Sequence, residues 1–321
     1  MGQPSNLLLK LSRRLFTEER DRDTFVEALT NPQPFPSAIV WVQPRPEPVP
    51  FAIVPALPWQ PAWVDRLAAN QRPGQHPLHQ DGAYYCLDMA SVFSAAVFTA
   101  IVAPVASVLD LCAAPGGKSL LARQAFNPDH LWCNEVIRKR VKILISNLKR
   151  CGATEALVFN LDPQHFAEQL RHTASVVVVD APCSGQSLLA KGGSALGCFH
   201  PVSIKKNANR QKRILAHAAQ TVAAGGHLAY MTCTFSPEEN EQVVAWLIKK
   251  IPQFEPVKVP ALRDHASSLA SFPCYRLWPQ SGLGAGGFTA LLRNRGEISE
   301  PVDLDFLTAQ GMQIYGSGAL S

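Results

Sequence analysis

Residues 107–119, SVLDLCAAPGGKS, decide the fold of this chain. An apolar run leads into Asp110, and a turn of small residues leads into a segment of helical pattern. The same alternation continues downstream, where the apolar runs are HLWCNEV, ALVFNLD, SVVVVDAP, HLAYMTCT and a final GGFTALLRN. Near-continuous apolar strands joined by helices form a mostly parallel sheet that is covered on both faces. The sequence therefore predicts a doubly wound α/β fold.

Upstream of this region the pattern is different. Residues 1 to about 30 alternate charged and apolar positions at near-helical spacing, which predicts helix. Residues 31–62 are rich in proline and exclude a continuous helix, although the short runs AIVWV and FAIV are of β type. We therefore divide the chain into a small α+β N-terminal module (1–75), a main α/β domain (76–296) and a C-terminal tail (297–321).

Two further segments carry predictions about helices. The 21 residues from 89 to 109 hold no charge, which is the length of a membrane span. Because this run is rich in Ala and Ser and is broken by Pro104, a buried helix at about 89–102 and a strand at 105–111 explain it better. The segment VIRKRVKILISNLKRCG predicts an amphipathic helix with a basic outer face and Gly152 as its C-cap.

Composition limits the classes of protein to which this chain can belong but does not identify one. The 321 residues are 47% hydrophobic and 17% charged, with a formal net charge of +5, which is typical of a soluble globular protein and compatible with RNA. The eight cysteines form no CxxC pair and no zinc-finger spacing, so we expect no metal site. The N-terminus lacks the pattern of a signal peptide, and we expect a cytoplasmic protein with reduced thiols.

The turn that follows Asp110 has three readings. A phosphate-binding P-loop requires GxxxxGK[ST], but here only GKS is present and Cys112 occupies the position of the first glycine. A methyltransferase cofactor loop has no triphosphate to enclose and needs only close backbone approach at the start of a helix. The third reading is a tight strand–helix turn without a ligand.

Acids and cysteines follow the later strands. Glu135 ends the next strand, 25 residues after Asp110, where a carboxylate accepts hydrogen bonds from ribose hydroxyls in nucleotide-binding folds. Asp162 ends or follows the third strand; either acid could instead be a surface residue or a helix cap. Strand ends also carry Cys183 and Cys233, and two cysteines at one sheet edge favour a functional reading over small buried hydrophobes.

These segments, in this order, resemble the Nop/Sun family of S-adenosylmethionine-dependent RNA cytosine-5 methyltransferases over residues 76–296. The resemblance implies a Rossmann-like methyltransferase domain in which Cys233 is the nucleophile and Cys183 assists release of the product. Asp180 then polarises the base or holds the amino group of the cofactor. The implied contacts to S-adenosylmethionine are Cys112, Ala113, Ala114, Pro115, Gly116, Gly117, Lys118, Glu135, Asp162 and Asp180.

Further matches lie outside the strand ends. They are Gln211 with Ile214 and Leu215, the Pro237–Glu241 segment, and Gly286-Gly287-Phe288. The chain departs from the family at Leu87, where glutamine is frequent, at Thr234, where serine is usual, and in lacking the N-terminal Arg-x-Asn signature. The departure at the N-terminus concerns the positioning of RNA by the N-terminal module more than the chemistry.

The resemblance implies RNA as the partner, with ribosomal RNA favoured over transfer RNA, and we expect a monomer that needs no membrane. Two rival functions are open: a DNA cytosine-5 methyltransferase with Cys183 as the nucleophile, and a non-catalytic RNA-binding assembly factor. Basic residues available to hold RNA, unless they are merely solvated, are Arg138, Lys139, Arg140, Lys142, Lys205, Lys206, Arg210, Lys212 and Arg213.

Overall fold

The computed structural model describes residues 4–296 and 305–313. The first part of the chain forms α1 (Asn6–Leu15), α2 (Glu19–Thr30), β1 (Ser37–Trp41), β2 (Val64–Arg66), α3 (Pro77–Gln80), β3 (Tyr84–Asp88) and α4 (Met89–Ala95). Strand β1 pairs antiparallel with both β2 and β3 to make a three-stranded sheet. Because β3 lies beyond residue 75, this sheet joins the two sides of the predicted domain boundary, and the division itself stays a prediction.

Two helix predictions need correction. The helix expected over residues 1 to about 30 is two helices, because the chain between α1 and α2 is extended at Phe16, the C-cap of α1. The buried helix expected at 89–102 ends at Ala95 and continues only as a 3₁₀ turn, Ala96–Ala100. No helix among the described residues is long and apolar enough to cross a membrane.

The second part of the chain builds the main sheet. Its strands are β4 (Ser107–Asp110), β5 (His130–Asn134), β6 (Ala156–Phe159), β7 (Ala174–Asp180), β8 (Val222–Thr232), β9 (Phe254–Pro256), β10 (Tyr275–Leu277), β11 (Gly287–Asn294) and β12 (Met312–Gln313). Its helices are α5 (Gly117–Phe126), α6 (Arg138–Arg150), α7 (Pro163–Gln169), α8 (Pro201–Thr221), α9 (Glu241–Lys250) and α10 (Asp305–Gln310).

The order of the main sheet is β10-β11-β8-β7-β4-β5-β6-β12, with β9 beside β11. Strands β4 to β8 are parallel, and β9 to β12 pair antiparallel to their neighbours. Alternate residues of β7 enter different cores: Val176 and Val178 pack with α4 to α6, whereas Val177 and Val179 pack with α7 to α9. The predicted doubly wound α/β fold is confirmed.

The turn after β4 depends on two glycines for different reasons. Gly116 has a φ of +116°, a conformation that favours glycine over residues with a Cβ atom. Gly117 begins α5, and a Cβ atom there would lie 2.7 Å from the side chain of Leu87. The leucine that departs from the family pattern therefore packs directly against the loop, and the glycine makes room for it.

Candidate functional site

The carboxyl ends of β4, β7 and β8 lie side by side, because these three parallel strands are neighbours in the sheet. Strand β4 ends at Asp110, β7 at Asp180 and β8 at Thr232, one residue before Cys233. The loop after β4, the turn with Cys183 and the turn with Cys233 are thus brought to one edge of the sheet. In a doubly wound fold, this edge beside the strand crossover is where ligands bind.

The loop after β4 is anchored by a buried carboxyl group. Asp110 accepts hydrogen bonds from the hydroxyl of Ser119, at 2.7 Å, and from the backbone N–H of Cys112, at 3.2 Å. Burial raises the pKa of Asp110 to about 7. At the same edge Lys118 Nζ lies 3.1 Å from Asp180 Oδ2, so that a cation from the first turn of α5 meets the acid at the end of β7.

Glu135 follows β5 directly and is buried. Its carboxylate accepts from the backbone N–H of Ile137, at 2.8 Å, and forms an ion pair of 2.9 Å with Arg140. The Arg140 guanidinium also donates to the carbonyl of Ala114. Arg140, which sequence reasoning considered only as a contact for RNA, therefore ties the acid after β5 to the loop after β4.

Asp162 lies three residues beyond the end of β6 and is exposed. Its side chain accepts from the backbone N–H of Gln164 at 3.0 Å, so the acid is the N-cap of α7. This is the helix-cap alternative that the sequence left open, and a contact of Asp162 with a cofactor stays a prediction.

The two cysteines at the strand ends face each other. Their sulfur atoms are 3.2 Å apart, with Cys233 exposed and Cys183 partly exposed. The hydrogen bond with the Cys183 thiol lowers the pKa of Cys233 against the opposing effects of burial and of the Asp180 charge, and the Ser187 hydroxyl and the charge of Lys118 add to the lowering. The hydrogen bond with Cys233 and burial raise the pKa of Cys183. These opposite pKa directions make Cys233 the more readily ionised of the two thiols.

The sequence assigned no role to several residues that hold the cysteine turns. Ser184, next to Cys183, hydrogen-bonds to Glu239 through both its backbone N–H and its hydroxyl. Glu239 also accepts from Gln211 Nε2 at 3.0 Å. Glu239 and Gln211 belong to segments that match the family pattern, but they lie 55 and 27 residues from Ser184, and no spacing rule connects them.

All eight cysteines are free, and four of them, Cys133, Cys151, Cys198 and Cys274, are buried. No group of three or more His, Cys, Asp or Glu residues within 4–296 and 305–313 is arranged to hold a metal ion.

A parallel sheet of this order, with a glycine-containing loop after β4 and an acid directly after β5, defines a Rossmann-like class I methyltransferase. The sequence profile of the family described as 16S rRNA methyltransferase RsmB/F matches residues 101–293. The chain belongs to this family, which lies within the Nop/Sun group that the motifs indicated. The cofactor of this methyltransferase family is S-adenosylmethionine.

Curated relatives carry the name ribosomal RNA small subunit methyltransferase F. The protein from Cronobacter sakazakii is 32% identical over 252 residues, which cover 77% of this chain and 52% of the relative. The protein from Vibrio cholerae is 32% identical over 253 residues, which cover 76% of this chain and 53% of the relative. The chain thus spans about half the length of the curated relatives it matches.

Solved structures share the fold at lower identity. A methyltransferase homologue from Pyrococcus horikoshii superposes with a TM-score of 0.70 at 22% identity, covering 90% of this chain and 99% of the other. NSun6 from the same organism superposes with a TM-score of 0.71 at 17% identity, covering 91% of this chain and 99% of the other. These likenesses support the fold of the chain.

The residues present fit S-adenosylmethionine by their chemistry. The carboxylate of Glu135 has two protein partners and keeps lone pairs free to accept from ribose hydroxyls. Beside it, the apolar side chains of Val136 and Ile137 are 43% and 44% exposed. Asp180, with a third of its side chain exposed, presents a carboxylate to a cationic amino group.

Proposed function

We propose that this chain methylates C5 of a cytosine in ribosomal RNA, with Cys233 as the nucleophile and Cys183 as the group that assists release. The observation that carries the proposal is the pair of sulfur atoms 3.2 Å apart at the ligand edge of a methyltransferase fold. The opposite shifts in their pKa values support different roles for the two residues. Ribosomal RNA is favoured because the curated relatives are named as ribosomal RNA methyltransferases.

The first step belongs to Cys233. C5 of cytosine is a poor nucleophile, and addition of the Cys233 thiolate to C6 converts C5 into an enamine carbon that can attack an electrophile. The lowered pKa of Cys233 raises the fraction of thiolate near neutral pH. Its exposure lets a base that has been turned out of the RNA stack reach the sulfur.

When bound, S-adenosylmethionine supplies an electrophilic methyl group on a sulfonium centre. The side chains proposed to hold it are Glu135, at the ribose, Val136 and Ile137, at the adenine, and Asp180, at the amino group. The backbone of residues 112–118 and the side chain of Asp162 complete the proposed contacts.

The last step needs Cys183. After methylation, C5 loses its proton, and the electrons of that C–H bond re-form the C5–C6 double bond as the C6–sulfur bond to Cys233 breaks. The proton is proposed to go to a water that Cys183 orients, or to Cys183 itself once that residue has given its own proton to the departing sulfur of Cys233. The sulfur of Cys183 lies beside the leaving sulfur, and the raised pKa of Cys183 suits a group that holds a proton once it has been taken up.

Binding of RNA is proposed to involve the basic faces of α6 and α8. The basic residues named on α6 are exposed, and those on α8 are exposed or partly exposed. Because the site is formed within one chain and its thiols have to stay reduced, action as a monomer in the cytoplasm is part of the proposal.

Covalent trapping on RNA tests the assignment of the two cysteines. The probe is a small-subunit ribosomal RNA transcript containing 5-fluorocytidine, whose fluorine blocks the loss of the C5 proton and preserves the adduct. We expect the adduct with the wild type and with Cys183→Ala, and no adduct with Cys233→Ala. Adduct formation by Cys233→Ala but not by Cys183→Ala would transfer the nucleophile to Cys183, as in the DNA enzymes.

Matched probes separate the remaining alternatives. The substrate controls are transfer RNA and a DNA with the same sequence as the ribosomal RNA transcript. Bisulfite sequencing locates any methylated cytosine. A protein that binds RNA but shows no binding of S-adenosylmethionine in calorimetry and forms no adduct would instead be an assembly factor.

A further inference from the structure

Glu239 is a buried acid between the two cysteine turns. It has no exposed surface, and no described cation forms an ion pair with it. Its Oε1 accepts from the backbone N–H of Ser184 at 2.9 Å and from Gln211 Nε2 at 3.0 Å, and its Oε2 accepts from the Ser184 hydroxyl at 2.6 Å. A buried carboxylate satisfied by three neutral donors needs all of them, because water cannot replace any that is lost.

The same acid is linked to the other cysteine turn through Ser184. Ser184 Oγ and Thr234 Oγ1 are 2.7 Å apart. A serine hydroxyl has a single proton, which Ser184 gives to Glu239, so Thr234 is the donor in its contact with Ser184. Asn240, which follows Glu239, donates to the carbonyl of Thr234 at 2.9 Å. The residues next to Cys183 and Cys233 are thus tied to each other and to the Glu239–Asn240 turn.

We propose that Glu239 is the positioning residue of the thiol pair: its carboxylate fixes the Ser184 turn and sets Cys183 against Cys233. This inference rests on the proposed function for its kinetic consequence, but its geometric content is independent of methylation. The negative charge of Glu239 contributes to the raised pKa of Cys183, and burial raises the pKa of Glu239 itself. Protonation of Glu239 in acid removes an acceptor from the Ser184 turn.

The variant Glu239→Gln tests this role at nearly constant volume. An amide removes the charge and turns one acceptor oxygen into an NH₂ donor. Either the backbone N–H of Ser184 and Gln211 then lose their acceptor, or the Ser184 hydroxyl has to accept from the amide and give its proton to Thr234 instead. Ser184→Ala is the second variant; it deletes the hydroxyl that joins Glu239 to Thr234 and leaves the backbone contact. The matched control is Glu238→Gln, which removes the same charge one residue earlier, from a side chain that pairs with Arg14 at the surface.

The first readout measures the geometry of the thiols without any methylation. Diamide oxidation joins two neighbouring thiols as a disulfide. The corrected rate is the rate of Cys183–Cys233 cross-linking divided by the rate at which iodoacetamide alkylates Cys233, because this division removes the effect of the thiolate fraction of Cys233. We expect the corrected rate to fall about tenfold or more in Glu239→Gln and in the same direction in Ser184→Ala, and to be unchanged in Glu238→Gln. Unchanged rates in both test variants would overturn the proposal, and Ser184→Ala decides alone if Glu239→Gln does not fold.

The second readout is the release of the RNA adduct. A displacement of about 1 Å at a reacting group lowers rates by as much as about 10²-fold, so adduct release should slow by that order in Glu239→Gln. Affinity for S-adenosylmethionine, measured by calorimetry, and KM for RNA should stay within about twofold of the wild type.

A double variant separates positioning from general structural support. If Glu239 acts through Cys183, Glu239→Gln should add nothing to the loss seen in Cys183→Ala, whereas independent effects would multiply. Multiplied losses together with weaker S-adenosylmethionine binding would mean a purely structural role and would also overturn the proposal. Should the wild type fail to methylate RNA, the proposed function fails, and the cross-linking rates still decide the role of Glu239.

Discussion

Mild oxidation of the protein with diamide should join Cys183 to Cys233. Their sulfur atoms are 3.2 Å apart, and a disulfide bond is about 2.05 Å long, so the sulfurs have to approach by only about 1.2 Å. Cys233 is exposed and its pKa is lowered, which favours it as the thiolate that attacks the oxidant. Diamide takes up the two electrons and the two protons that the thiols lose.

The new bond should also stabilise the fold by a calculable amount. It closes a loop between residues 50 positions apart, and the loss of chain entropy in the unfolded state corresponds to about 4 kcal/mol if the bond is unstrained. Because the unfolding entropy is about 2.1 cal/mol/K per residue, about 1 kcal/mol shifts the Tm of a chain of this length by about 1.5 °C, so the oxidised protein should unfold about 6 °C higher. Strain in the bond would lower both figures.

The measurement combines a peptide map with thermal unfolding. Free thiols are alkylated after oxidation, the digest is searched for the Cys183–Cys233 peptide pair, and Tm is compared before and after reduction. Cys183→Ala and Cys233→Ala, treated in the same way, should gain neither the cross-link nor the stabilisation. Pairing of Cys233 with another cysteine, or oxidation without any intramolecular bond, would refute the geometry of the site.

Three further predictions concern the site and its support. Arg276→Met breaks the buried bidentate ion pair with Glu241, whose side chains are 2% and 4% exposed, and the free energy of unfolding in urea should fall by about 3–5 kcal/mol. The control Arg295→Met breaks the exposed pair with Glu255 and should cost less than about 1 kcal/mol. Equal losses would contradict this prediction. Asp110 has a raised pKa in the folded state, so its stabilising contribution is present in acid and lost as pH rises from about 4 to about 7. Asp110→Asn should therefore gain stability relative to the wild type across that window in urea titrations, and a difference independent of pH would exclude the raised pKa. Iodoacetamide near neutral pH should label Cys233 before Cys183, as mass spectrometry of quenched samples can show, and the reverse order would contradict the pKa directions.

The architecture was predictable because buried parallel strands have a local signature. Strands covered on both faces are apolar at nearly every position, so β4 to β8 can be recognised one at a time, and their connections require a parallel arrangement. The acid after β5 and the cysteines after β7 and β8 follow from the same reasoning, because parallel strands place their carboxyl ends at one edge.

Element boundaries were less predictable. The uncharged run from residue 89 does contain a helix, but its end at Ala95 is not marked, since a helix buried on all sides has no polar boundary in its sequence. Asp162 illustrates a different limit. A carboxylate after a strand suits a ligand contact and a helix cap equally well, and the hydrogen bond to Gln164 becomes visible only when α7 is seen to begin there.

The sequence by itself determined which chemical groups meet at the carboxyl edge of the sheet, namely the acids after the strands and the two cysteines. The assignment of different roles to the two cysteines came from the family resemblance. Only the tertiary structure decided the physical difference between the cysteines. Cys233 is exposed and its pKa is lowered, whereas the pKa of Cys183 is raised by its hydrogen bond with Cys233, by burial and by the charge of Glu239, 56 residues further along the chain. Proton affinity depends on burial and on charges within a few ångströms, and chain folding sets both.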